Sequence, residues 1–225
     1  MSTKLTYKFG IFDWNGTLID DSYANLAGSN ATLRLAGVSE LTMETYRDTM
    51  DFPLIHFYNR NGVDTDTYLA NVGPFGEAFF IEYQERSKTA LLREGAMETL
   101  DLLLDNGLTM MVLSNHIQGH LEEQMATLHI HHKFKHISGN TAFDKSQITK
   151  MNKLDRLKRI MEEHDYRPEE SFIIGDSLEE PEIARSLGMT SISVTWGCFS
   201  RKRLEASKTH YIIDQIQDLV GILWK

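Results

Sequence analysis

The run Phe9-Gly10-Ile11-Phe12-Asp13-Trp14-Asn15-Gly16-Thr17-Leu18 sets how the rest of the chain is read. An unbroken apolar stretch leads into a carboxylate. A short apolar run rich in β-branched or aromatic residues and closed by a polar one reads as a strand buried on both faces, as in a parallel sheet. The same form recurs at Leu108 to Ser114, Ser171 to Asp176 and Ser191 to Trp196, with a weaker candidate at Tyr211 to Asp214.

The segments between these runs carry a helical period. Met97, Leu100, Leu103 and Leu104 form one stripe, Leu121, Met125 and Leu128 a second, and Leu154, Leu157, Ile160 and Met161 a third. Each stripe predicts a helix covering one sheet face. Gly107 and Gly188 stand where a helix closes on a left-handed residue, just ahead of the next strand. Strand and helix alternate, so the expected fold is α/β, a doubly wound and mainly parallel sheet.

Between Asp21 and Ala90 the alternation stops: helix-like segments continue, without a run of the buried-strand type. This predicts a helical cap over 21–90 inserted into a core made of 1–20 and 91–225. Its aromatic residues include Tyr46, Phe52, Phe57, Tyr58 and Phe75, and Phe79, Phe80 and Tyr83 repeat at helical spacing, which predicts a packed cap interior. Arg47, Arg60 and His56 are the cap residues able to face an anion, and the pattern does not say which side they occupy.

With 225 residues, the chain is long enough for one large domain or a domain with an insertion. A hydrophobic share of 41% and a charged share of 24% are those of a globular protein and exclude a disordered or fibrous chain. The net charge of -9 disfavours nucleic acid and anionic membrane surfaces, which points to a small-molecule partner. Cys198 is the single cysteine, so an intramolecular disulfide and a cysteine-rich zinc site are both excluded. A reducing, cytoplasmic setting is the matching expectation, since the amino terminus lacks a signal-like apolar stretch and no run of about 18 apolar residues occurs. Oligomeric state is left open.

Ligands of an open parallel sheet bind outside the carboxyl ends of its strands, and Asp13, Ser114 and Asp176 stand at those ends. A histidine cluster, His129, His131, His132 and His136, invites a zinc reading, yet its irregular spacing and lack of a nearby cysteine favour a polar connection after the Leu121 stripe.

Phe12-Asp13-Trp14-Asn15-Gly16-Thr17-Leu18, with Ser114, a lysine ahead of a helix and Gly175-Asp176-Ser177, resembles the haloacid dehalogenase superfamily, and within it the phosphoglycolate-phosphatase-like members. Val194-Thr195-Trp196-Gly197 adds to the likeness, which spans almost the whole chain. The resemblance implies a phosphatase acting on a small phosphorylated metabolite. Asp13 would attack phosphorus to form an aspartyl-phosphate. Magnesium would be held by Asp13, the main-chain carbonyl of Asn15 and Asp176, with Glu180 helping directly or through water and Glu179 as the alternative. Ser114 would hold a phosphoryl oxygen, with Asn115, Gly16 and Thr17 beside it, and His116 able to contact substrate. For the site lysine, Lys153 fits best, with Lys150 and Lys145 open.

In one place the resemblance breaks. Where the family's phosphatases carry an aspartate that serves as general acid and base, this chain has Asn15, whose amide donates hydrogen bonds without exchanging a proton near neutral pH. Asn15 is therefore expected to orient the leaving group, and turnover to be slow. Three other readings follow: a phosphate-binding or regulatory protein with weak turnover, a hydrolase of carbon to halogen bonds, and cleavage of a phosphonate through a lysine imine. Gly175-Asp176 speaks against the halogen reading, and the absence of lysine between Lys8 and Lys88 against the imine.

Overall fold

The structure is a computed structural model describing residues 4–141 and 148–224. Its sheet has six parallel strands: β1 (Phe9–Phe12), β2 (Thr109–Ile117), β3 (His136–Asn140), β4 (Ser171–Gly175), β5 (Thr190–Val194) and β6 (Tyr211–Ile213), in the order β3-β2-β1-β4-β5-β6. Four of them are the four strong runs of the sequence, and β6 is the weak one. β3 falls in what reads as a polar connection. As an edge strand it is only half-buried over His136 to Ser138 and needs no long apolar run, so its sequence lacks the signal of the central strands.

Strand alternation sorts the side chains onto two faces. Phe12, Val112, Phe172 and Ile174 pack on one face with Leu100 and Leu103 of α6 (Ala96–Asp105) and Leu121 and Met125 of α7 (Gln118–Thr127). On the other face Phe9, Ile11, Leu113 and Ile173 meet Leu157 and Met161 of α8 (Lys153–His164) and Ile183 and Ala184 of α9 (Glu179–Leu187). The fold is doubly wound, as the alternation predicts. Leu104 is the exception to its stripe and remains 41% exposed. Gly107 and Gly188 adopt the left-handed conformation, with φ of 82° and 78°.

Register decides where the chemistry emerges. Phe12 pairs with Val112 on one side and Ile174 on the other, so β1, β2 and β4 run level at the same edge. The Asp13 amide donates to the Ile174 carbonyl at 2.9 Å, which carries Asp13 one step past the ladder and toward Asp176. β2 continues to Ile117 instead of ending at Ser114, and its register against β3 shifts between Leu113 and Ile117. Ser114 therefore lies at an irregularity within a strand, a common means of re-aiming a side chain.

Residues 22–87 are mainly helical: α1 (Ser22–Leu35), α2 (Met43–Thr49), α3 (Leu54–Arg60), α4 (Thr65–Ala70) and α5 (Val72–Ser87). α1 packs closely on α5, since a Cβ built on Gly28 would lie 2.8 Å from the Phe79 ring. Tyr46, Phe57, Tyr58, Tyr68 and Phe75 cluster with Cys198, Phe199 and Leu204, so one apolar cluster joins these helices to the segment after β5. Arg47 fastens the same joint by donating to the carbonyls of Gly197 at 2.8 Å and Trp196 at 3.0 Å. The two chain crossings run side by side, with the Asp20 amide on the Leu91 carbonyl and the Arg93 amide on the Leu18 carbonyl, each at 2.8 Å. Among the described residues no helix is long and apolar enough to cross a membrane.

Candidate active site

Asp13, Ser114, Lys153 and Asp176 line one cavity between the strand edge and the helices α1 to α5. Asp13 is buried, and Lys153, the first residue of α8, meets it with Nζ 2.9 Å from Oδ1. The same ammonium donates to Glu180 Oε1 at 2.8 Å and lies 3.6 Å from Glu179 Oε2. Lys150 is exposed at the cavity, and Lys145 lies outside the described residues.

Acid outnumbers base in this interior. Asp13, Asp176, Glu179 and Glu180 are all buried around one ammonium. Burial pushes the Asp13 carboxyl well up despite Lys153, and raises Asp176 to about 7 against a hydrogen bond from the Cys198 amide. Glu180 goes the other way, because Lys153 and the Ser177 hydroxyl together outweigh its burial. Lys153 is raised despite its own burial by the surrounding carboxylates and stays charged.

Each residue around the nucleophile candidate has a specific partner. Asp176 Oδ2 accepts from the Cys198 amide at 2.5 Å, and it occupies a cradle that only glycine permits: a Cβ on Gly16 would lie 2.3 Å from that oxygen, and one on Gly197 2.1 Å. Gly16 also has φ of 66°, and its amide donates to Asp21 Oδ1 at 2.7 Å. Thr17 is fully buried in the turn, where its carbonyl accepts from the Trp196 indole at 3.1 Å; neither Gly16 nor Thr17 is on the cavity wall. Ser114 Oγ accepts from the His116 amide at 3.0 Å and donates to Asn15 Oδ1 at 3.3 Å. Asn115 Nδ2 donates to Glu179 Oε2 at 2.9 Å.

The amide of Asn15 is not turned toward a leaving group. Its Nδ2 donates to Asp21 Oδ2 at 2.6 Å and to the Tyr83 hydroxyl at 2.9 Å, which spends both hydrogens inside the protein. Asp21, only 2% exposed, also accepts from the Tyr83 hydroxyl at 2.8 Å and from Asn25 at 3.0 Å. Burial raises its carboxyl in spite of these donors. Tyr83 therefore does more than pack the cap: its ring stacks on Phe79 while its hydroxyl ties α5 to the turn after β1. Arg156, not singled out in the sequence, donates to the Ser114 carbonyl at 2.8 Å and to Ser138 Oγ at 3.1 Å. One signal marks it: it falls three residues after Lys153 and so on the same helix face.

The cap cations are committed elsewhere. Arg47 is on the core carbonyls and Arg60 pairs with Asp51 at 2.6 Å; neither they nor His56 line the cavity.

The donor set fits a hard divalent cation. Asp13 and Asp176 are desolvated carboxylates sharing one cavity, and Glu179 Oε1 is buried without a hydrogen-bond partner. Both oxygens of Glu180 are already engaged, by Lys153 and by Ser177 Oγ at 2.6 Å. Among the described residues no group of three or more His, Cys, Asp or Glu side chains forms a metal cage, and magnesium requires none, since it takes one or two carboxylates and keeps its waters. His136 lies on β3 with Nε2 3.0 Å from the Tyr166 hydroxyl.

A doubly wound sheet presenting aspartates, serine and lysine at its carboxyl edge beneath a helical cover places this cavity where open α/β proteins bind their ligands. Over residues 10–194 the chain matches the haloacid dehalogenase-like hydrolase family, to which it belongs. It is 22% identical to the phosphoglycolate phosphatase of Vibrio parahaemolyticus over 98% of each chain, and 21% identical to that of Synechococcus elongatus over 93% of this chain and 94% of the relative. A haloacid dehalogenase-like family hydrolase from Streptococcus pneumoniae superposes with a TM-score of 0.79 at 21% identity, covering 96% of this chain and 98% of that one. A predicted phosphatase from Clostridium acetobutylicum reaches 0.75 at 19% identity, over 96% and 97%. The protein is a phosphatase of the haloacid dehalogenase type.

Proposed function

We propose that the protein hydrolyses a small phosphate monoester through Asp13, with magnesium as cofactor. The observation that carries this reading is the buried Asp13 carboxylate held by Lys153 Nζ at 2.9 Å while facing the cavity it shares with Ser114 and Asp176.

One oxygen of Asp13 attacks phosphorus as the bond to the leaving oxygen breaks, giving an aspartyl-phosphate that water then hydrolyses. Lys153 holds the nucleophile in place and sets a positive charge beside the transferred group, and Glu180 fixes Lys153 in turn. Ser114 offers its hydroxyl to a phosphoryl oxygen, and Asn115 and Arg156 steady the irregular stretch of β2 from which it projects. Asp13, Asp176 and the Asn15 main-chain carbonyl would hold magnesium, whose charge lets a carboxylate and a phosphate dianion approach each other. Asn15 supplies no proton and acts as a tether between Ser114, Asp21 and Tyr83.

Inorganic phosphate release from a panel of phosphomonoesters, with magnesium and with chelator, tests this. Release that requires magnesium is expected. Silence across the panel overturns the hydrolytic reading, and release that survives complete chelation overturns the magnesium assignment.

A further inference from the structure

Resting on the hydrolytic reading above, we propose that the substrate is a phosphate monoester of a phenol-like hydroxyl on a neutral, flat, apolar ring, in place of a small anionic ester such as phosphoglycolate. Two independent observations lead there: the wall of the cavity opposite Asp13, and the missing acid at position 15.

Met50, Phe52, Leu54, Tyr68 and Phe80 from the cap face the cavity, with Ile117 from the core. Among the described residues the only cations lining it are Lys153, engaged by Asp13 and Glu180, and the exposed Lys150. His116 also lines it, with its ring largely buried and neutral, since burial lowers it to about 4. A carboxylate on the leaving group would be desolvated against aromatic rings, where the one buried cation, Lys153, is already engaged by Asp13 and Glu180, a placement that strongly opposes binding. An uncharged ring loses nothing there and gains apolar contact. Polar capacity remains for one or two hydrogen bonds: His116 Nε2 and Asn140 Oδ1, from β2 and β3 on the core side of the cavity, are buried without partners, which suits a further hydroxyl on the ring.

Leaving-group chemistry points the same way. When the Asp13 oxygen bonds to phosphorus, the bond from phosphorus to the ester oxygen breaks and that oxygen keeps the electron pair. An alkoxide, whose conjugate acid is about as weak as water at roughly 15.7, needs a proton delivered as it departs. A phenoxide, with a conjugate acid near about 10 as in tyrosine, departs as the anion and takes its proton from water afterwards. Asn15 cannot deliver a proton, and both its amide hydrogens are on Asp21 and Tyr83. Water then attacks phosphorus, the bond to Asp13 breaks, and the carboxylate is restored. The sum is aryl phosphate plus water giving a phenol and inorganic phosphate.

Steady-state rates with magnesium on 1-naphthyl phosphate, cyclohexyl phosphate and 2-phosphoglycolate, together with binding of the first and last to Asp13→Asn by thermal shift, test the proposal. The expected order of kcat/KM is naphthyl over cyclohexyl over glycolate, with at least about a tenfold step between the ends, within what a few apolar contacts supply. Asp13→Asn should be stabilised more by naphthyl phosphate than by phosphoglycolate, and Leu54→Arg should narrow or invert the rate ratio. Phosphoglycolate turned over as fast as the aryl ester, or bound as well, overturns the substrate class and leaves the phosphatase reading standing. Absence of all turnover with the binding preference intact sinks the hydrolytic reading while supporting the pocket; absence of binding by either ester sinks both.

Discussion

The floor and the roof of the cavity obey opposite rules. The floor is the strand edge, where Asp13, Asp176, Glu179 and Glu180 crowd around Lys153 and almost every polar atom has a named partner. The roof is the cap, whose aromatic residues share one cluster with Phe199 and Leu204 and whose arginines are turned away from the cavity. Charge on the floor is fixed in direction and intolerant of change, because buried carboxylates without partners are costly. Apolar contact on the roof is non-directional and can be resized. The difference teaches that the charged and the apolar lining of the cavity come from separate parts of the molecule, joined at Asn15 and Tyr83.

The largest effect on this contrast is expected from Asp13→Asn. Turnover should fall by about 10³-fold or more while the fold is retained, because a nucleophile has no substitute in a covalent route; phosphate-release assays with circular dichroism check both halves, and an unchanged rate would falsify the assignment. Lys153→Met comes next. It strands the buried carboxylates, so stability should drop by about 3 to 5 kcal/mol in denaturant titrations along with activity. Magnesium should recover more stability in this variant than in the wild type.

Asn15→Asp sharpens the comparison at the joint between floor and roof. In most of the family a carboxylate here is expected to help, but in this chain it would sit against Asp21, whose Oδ2 now takes the Asn15 hydrogen at 2.6 Å. Lost donation and added repulsion should destabilise the protein by about 1 to 3 kcal/mol without accelerating hydrolysis. A large rate gain would show that the site is not organised around the amide.

A further expected effect is on pH dependence. Asp176 is raised to about 7 from 3.8, and Asp13, Glu179 and Asp21 are also raised, so their unfolded forms release protons first. The stability they contribute is complete below their unfolded values and is lost as pH rises, for Asp176 over roughly pH 4 to 7. Glu180 is lowered and acts in the opposite sense, losing its contribution as pH falls below its ordinary 4.5. Metal-free protein should therefore melt at progressively lower temperature from pH 5 to 7, in about the range just given. Saturating magnesium should flatten that slope; a slope indifferent to magnesium would remove Asp13 and Asp176 as its ligands.

Much of the floor was legible. Asp13 and Asp176 follow central strands, where apolar runs are long and the polar residue that ends them stands out. Lys153 stood out as the lysine opening the stripe at Leu154. Between Glu179 and Glu180 the sequence could not choose, because neighbours in a first helical turn differ only in direction. The fold sends Glu180 to Lys153 and Ser177 and leaves Glu179 Oε1 without a partner. Tyr83 and Asp21 were read as cap packing and cap border for a similar reason. Their hydroxyl and carboxylate meet across 62 positions of sequence, a distance no local pattern encodes.

By itself, then, the sequence determined the alternation of buried strands and amphipathic helices, the run of helices that follows the first strand, and the residue types at the strand ends, since hydrophobic period and turn chemistry are local properties. Only the tertiary structure decided that Ser114 sits at a register shift, that Asn15 turns its amide to Asp21 and Tyr83, and that no cap arginine enters the cavity. Those facts depend on which distant groups meet after the helices pack, where a charge or hydrogen bond is settled by whatever partner the fold brings within reach.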